Sequence, residues 1–114
     1  MAEEGHANFH LVFLLKLARF LGIAPNMEAY SDGDLFNLTD GHFIPYGIAS
    51  DTVMSAHDAR LLFLLSRATY ETMGDIAMNR HDRARMIHYL ATYYALHIAN
   101  FPTLQSLEIL QQLL

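Results

Sequence analysis

The 114 residues include no cysteine, and that one absence removes disulfide frameworks, thiolate zinc sites and cysteine nucleophiles together. It also fits a reducing compartment. Proline occurs three times, at Pro25, Pro45 and Pro102, and each stands where a helix or an inner strand would have to stop. Positive charge is short as well: seven Lys and Arg against twelve Asp and Glu give a net charge of −5. A domain with that balance repels a phosphate backbone overall, so any nucleic acid would be met through a local patch or a partner. The opening MAEEGHAN has neither a basic leader nor a small-residue cleavage site, and the expected location is cytoplasmic. Nor is there a long enough apolar run for a membrane. The greasiest stretch, Asn8 to Gly22, would span ~22 Å as a helix against a hydrocarbon core of ~30 Å, and Lys16 and Arg19 interrupt it.

What is present is a series of helical signals around that stretch. NFHLVFLLKLARFLG is apolar nearly all round, so its helix is expected to be buried, with Asn8 as N-cap, Gly22 just past the end and Pro25 beyond. Residues 23–33 read as loop. In LFNLTDGHFIPY, Asp40-Gly41 predicts a two-residue type I′ hairpin that sets Thr39 opposite His42 and Leu38 opposite Phe43. Phe36, Leu38 and Phe43 then share the face that lies on the helices, and Pro45 keeps the hairpin at an edge. Residues 47–54 read as loop again. Ser55 with Asp58 predicts a capped helix to about Ala68 that buries Leu61, Leu64 and Leu65. A short helical turn broken near Gly74 follows. Asn79 is the expected cap of the longest helix, to about Ile98, whose stripe of Ile87, Leu90, Ala91, Tyr94 and Ile98 opposes His81, Arg85, His88 and Thr92. Asn100, Phe101 and Pro102 stop it, and a last helix from about Leu104 would bury Leu107, Leu110 and Leu114. The expected fold is mainly α: one domain over residues 1–114, with about four helices and one β-hairpin.

Few residues combine into chemistry. His6 with His10, and His81 with His88, can share helix faces, but no HExxH glutamate or third ligand accompanies either pair, so no metal or cofactor is expected. The serines lie in loops and caps outside any GxSxG setting, and no carboxylate pair stands out, so the chain does not read as an enzyme. Tyr89, Tyr93, Tyr94 and His97 group on the longest helix; without a basic groove, core packing with hydroxyls reaching solvent is the simpler reading than a base-stacking platform. Arg80, Arg83 and Arg85 are more informative, because three cations in the first turns of a helix oppose its macrodipole. Either Asp75, Asp82 or Glu71 pairs with them, or together with the helix N-terminus they bind an anion, phosphate or the carboxylates of an acidic peptide. Lys16 and Arg19 form a smaller second candidate, with snorkelling from the first helix as the plainer account.

In order along the chain, ANFHLVFLLKLARFLGIAPN, LFNLTDGHFIPY, ARMIHYLATYYALHI and FPTLQSLEILQQLL resemble the C-terminal half of the RecO family of recombination mediators, most like the Bacteroides-type branch. The resemblance implies an N-terminal OB-fold missing from this chain, which would account for a long apolar helix so close to its start. It implies DNA annealing and RecA loading in gap and break repair, together with RecR and the acidic C-terminal tail of the single-strand-binding protein. DNA contact would then belong mainly to the missing half. Many family members carry four zinc-binding cysteines in the segment after the first helix, whereas here 25–46 has none, so zinc is not carried over. Relatives that bind the tail have arginines just ahead of the first helix's phenylalanine, where this chain has Ala7 and Asn8. The arginines around Arg83 are the substitute that chemistry suggests. Ser106 matches the family's cap of the last helix, preceded by Gln105 where a lysine is frequent. The rival expectation is a stand-alone helical dimerisation or adaptor domain with no nucleic-acid role.

Overall fold

The structure is a computed structural model and describes residues 7–47 and 53–98. Three helices carry the described residues: α1 (Phe9–Phe20), α2 (Ala56–Arg67) and α3 (Arg80–His97), with a 3-10 turn at Met73–Asp75 leading into the last. A small sheet of β1 (Leu35–Asn37), β2 (His42–Ile44) and β3 (Val53–Met54) lies between α1 and α2 in the sequence. The fold is thus mainly α with a small antiparallel sheet. The expected fourth helix from Leu104, and with it Ser106, falls outside the described residues.

Local signals fix most of the helix ends. Ser55 Oγ accepts from the Asp58 amide at 3.2 Å, and Asn79 with Asp82 closes a capping box in which side chain and backbone exchange bonds of 2.8 and 3.1 Å. At the far end of α1, Gly22 takes φ +79° while its amide reaches Arg19 O and that of Ile23 reaches Ala18 O. Those two bonds are the Schellman pattern, which needs a left-handed residue where glycine stands. Asn8 departs from expectation. It occupies the N-cap position but makes no cap bond; instead its Nδ2 donates to Met73 O at 2.8 Å and to Ile76 O at 3.4 Å. A tertiary tether has replaced the local cap.

Burial of α1 is also one-sided. Leu11, Val12, Leu14, Leu15 and Ala18 face α2 and α3, whereas Phe9, Phe13 and Phe20 are exposed, Phe20 at 86%. A helix touching two neighbours covers only part of its circumference, so an apolar sequence all round leaves a greasy outer face. The core behind it gathers Phe36, Leu62, Leu65, Met86, Ile87 and Leu90, all at or below 1% exposure. Leu61 is buried as expected, Leu64 and Ile98 only partly.

The hairpin forms with a different register. Asn37 faces His42 and Phe36 faces Phe43, leaving a four-residue loop over 38–41 closed by Gly41 N to Asn37 O at 2.8 Å. Only Gly41 has positive φ there, so the type I′ geometry, which needs two such residues, is absent. Leu38 is pulled under the core at 4% exposure, and His97 Nε2 donates to its carbonyl at 2.8 Å; both hold the loop open. Since the slip is two residues, Phe36 and Phe43 keep their common face. Residues 53–54, expected as loop, pair with β1 as a third strand, giving the order β2-β1-β3 with Pro45 directly after an edge strand.

The aromatic group on α3 stitches these layers together. Tyr94 and Tyr93 do not send their hydroxyls to solvent: they donate to Leu14 O and Ile23 O, each at 2.5 Å. Burial pushes the Tyr94 hydroxyl up to about 12. Between pH 10 and about 12 the unfolded chain ionises this group while the folded chain keeps it neutral, so stability falls with rising pH across that window. Tyr94→Phe is expected to cost about 1 kcal/mol near neutrality and to flatten the alkaline loss. Urea melts at neutral and alkaline pH check both.

Candidate functional site

Polar chemistry concentrates where α2 and α3 begin. Asp58 and Asp82 are each the third residue after a cap, and both are nearly buried, at 2% and 7% exposure. Arg85, one turn into α3, satisfies them together: Nε and Nη2 donate to the two Asp58 oxygens at 3.1 and 3.2 Å, and Nη2 also donates to Asp82 Oδ1. His57 Nε2 lies 3.2 Å from that same oxygen, while Asp82 Oδ2 takes the Asn79 amide. Burial alone would push the Asp82 carboxyl up, but the Asn79 amide, His57 and Arg85 together outweigh it and hold it below its ordinary value.

Of the alternatives the sequence left open for the arginines, Arg85 takes the ion pair, with Asp82 as one partner. The other partner, Asp58, is 27 residues away in sequence and carries no signal beyond its role in a helix's first turn. His57, Asp58 and Asp82 bring ligand atoms within 4.8 Å of one another, a spacing that suits a metal. The donor set does not fit one, because the guanidinium already occupies the cation's position and uses the inner oxygens of both carboxylates. His81 and His88 are exposed on α3, and His6 lies outside the described residues.

Arg80 and Arg83 point elsewhere. At 100° per residue Arg83 and Arg85 stand about 200° apart on the helix, so they cannot serve one site. Arg83 donates from Nη1 to Met78 O at 2.8 Å and forms the wall between two recesses. One, of about 380 Å³, is edged by Ala7, Arg80, Arg83 and Ala84. The other, of about 660 Å³, runs along the connection from Gly74 to Asn79, with Asn8 at its floor. Lys16 and Arg19 are in neither. The Lys16 ammonium lies 5.3 Å from the Tyr70 ring centre, a cation–π contact on the outer face of α1, and Arg19 is exposed in that helix's last turn.

These features define a class: a mainly helical domain whose solvent-facing polar groups are arginine-edged recesses around a helix start. Among the described residues no helix is long and apolar enough to cross a membrane. The chain matches the family described as "Recombination protein O C terminal" over residues 1–107. It is 43% identical over 109 residues to the DNA repair protein RecO of Bacteroides fragilis, a match covering 94% of this chain and 45% of that protein. It is 37% identical to that of Phocaeicola vulgatus over 97% of this chain and 46% of the relative, and 34% identical to that of Porphyromonas gingivalis over 94% and 44%. No solved structure matches significantly. The chain belongs to the RecO family as a C-terminal domain of a DNA repair protein, and it spans less than half the length of these curated relatives.

Removing Arg85 strands two buried carboxylates. Arg85→Ala is expected to lower the melting midpoint by at least ~5 °C, and Arg85→Lys to restore only part, since an ammonium cannot fork across Asp58. In the native chain the Asp82 contribution is intact above pH 3.8, the unfolded value, and is lost as pH falls through the lower folded value. Arg85→Ala should move that acid loss to higher pH, read by circular dichroism melts across an acid series.

Proposed function

We propose that this domain is the interaction module of a recombination mediator that anneals DNA and loads RecA together with RecR and the single-strand-binding protein. The observation that carries the reading is the recess shared by Arg80, Arg83 and Ala7. The family resemblance assigns tail-binding arginines to the stretch just ahead of the first helix's phenylalanine, occupied here by Ala7 and Asn8. Arg80 and Arg83 come from α3, yet they edge that same stretch, so the cations return from a different part of the chain. Their guanidinium forks suit carboxylates, and the neighbouring Ile76 and Met78 offer apolar surface for a terminal side chain. Lys16 and Arg19 form a separate cationic strip beside Phe13 and Phe20, open to a second partner surface such as RecR. DNA contact belongs chiefly to the half of the relatives that this chain does not cover. A stand-alone adaptor domain would use the same surfaces without nucleic acid, but the relatives' name, DNA repair protein, favours the mediator.

A peptide rich in acidic residues and ending in phenylalanine should bind at micromolar strength, and Arg80→Glu with Arg83→Glu should weaken it at least tenfold at fixed salt. Fluorescence anisotropy with the labelled peptide measures this. Affinity unchanged by the double reversal rejects the site.

A further inference from the structure

The recess along 74–79 is not isolated. Its Asp75, Ile76 and Ala77 also form one wall of a recess of about 380 Å³ on the α2 side, whose other wall carries Arg60 and Arg67. Both arginines are exposed on α2, seven residues apart and so on one face, about 10 Å from each other along the axis. The Arg67 guanidinium lies 5.5 Å from the Phe63 ring centre, which steadies it without neutralising it. Among the described residues none of Arg60, Arg67, Arg80 and Arg83 is in an ion pair. Arg60 and Arg67 thus stand on one side of the ridge and Arg83 on the other, with Arg80 next beyond Arg83 in the adjoining recess, in a domain of net charge −5. The ridge itself bears Asp75.

Resting on the reading of Arg80 and Arg83 as a carboxylate site, we propose that the bound acidic peptide continues over the ridge of Asp75, Ile76 and Ala77 to a second subsite at Arg60 and Arg67. The partner's acids then fall in two groups separated by an uncharged, apolar stretch. Asp75 repels charge at the crossing, while Ile76 and Ala77 give an apolar residue something to cover. This pattern selects a peptide over a nucleic acid. A nucleic-acid strand carries a phosphate at every step and cannot cross Asp75 without one, whereas a peptide can leave the crossing neutral. A second charged pair acting in series raises affinity through effective concentration as well as contact.

The test compares two synthetic peptides on the 114-residue chain: one of four residues ending in an acidic pair and phenylalanine, and one of about ten, ~33 Å when extended, with a second acidic pair upstream of an apolar spacer. The longer peptide is expected to bind at least tenfold tighter, Arg60→Gln with Arg67→Gln to erase that gain while leaving the short peptide unaffected, and aspartate placed in the spacer to reduce it severalfold. The last comparison leaves the protein untouched, so it holds even if the double variant is poorly folded. Equal affinity of the two peptides, or a gain that survives loss of Arg60 and Arg67, overturns the second subsite and leaves the first standing. Binding of neither peptide overturns the Arg80 and Arg83 reading itself. An oligothymidylate that displaces the longer peptide through Arg60 and Arg67 overturns the choice of a peptide.

Discussion

One guanidinium holds the beginnings of two helices. Asp58 and Asp82 occupy equivalent positions in α2 and α3, where a carboxylate favours the positive end of a helix. Burying both would set two like charges close together in poorly solvated surroundings, which is tolerable only if a cation lies between them. Arg85 supplies it, with a planar fork that meets both Asp58 oxygens while Nη2 also reaches Asp82. The relative position of α2 and α3 at this end follows from that contact. So does the freedom of the other cations: with Arg85 turned inward, the helical repeat leaves Arg80 and Arg83 on a different face, beside Ala7.

At the opposite end, carbonyls do the equivalent work. Tyr93, Tyr94 and His97 donate to Ile23, Leu14 and Leu38, binding the last turns of α3 to α1, to the chain that leaves it and to the hairpin loop. Gly41 sits against the Tyr93 hydroxyl, where a Cβ would come within 3.2 Å, and its positive φ already favours glycine. Residues 25–46 are ordered by Phe36 in the core, the Asn26 amide on Gly41 O and these aromatic donors.

Wherever a structural decision is local, the sequence showed it. Ser55, Asn79 and Gly22 govern bonds spanning three to five residues, and all three act as their positions suggest. Decisions involving distant chain were hidden. Asn8 looks like a cap, but the 3-10 connection offers it two carbonyls and takes its side chain away. Asp40-Gly41 looks like a two-residue turn until the core claims Leu38. A strand of two residues at 53–54 has too little pattern to be seen, since its only definition is the β1 backbone it meets. The site divides in the same way: the arginine cluster was visible as an excess of charge against a helix dipole, but which member would be neutralised depended on Asp58 in another helix. The recess edges are contributed by three separate stretches of chain, and no single stretch carries a signature for them.

Asn8 joins the start of α1 to the 3-10 connection through one amide nitrogen, which donates to Met73 O and Ile76 O, and among the described residues its buried Oδ1 accepts no hydrogen bond. Rotating the amide would turn that oxygen toward two carbonyls, so the orientation is locked. What the two bonds secure is position: one side chain ties the start of α1 to the rim of the larger recess. A rim held in place this way favours a ligand that matches its shape, because less of the host is left to be ordered on docking.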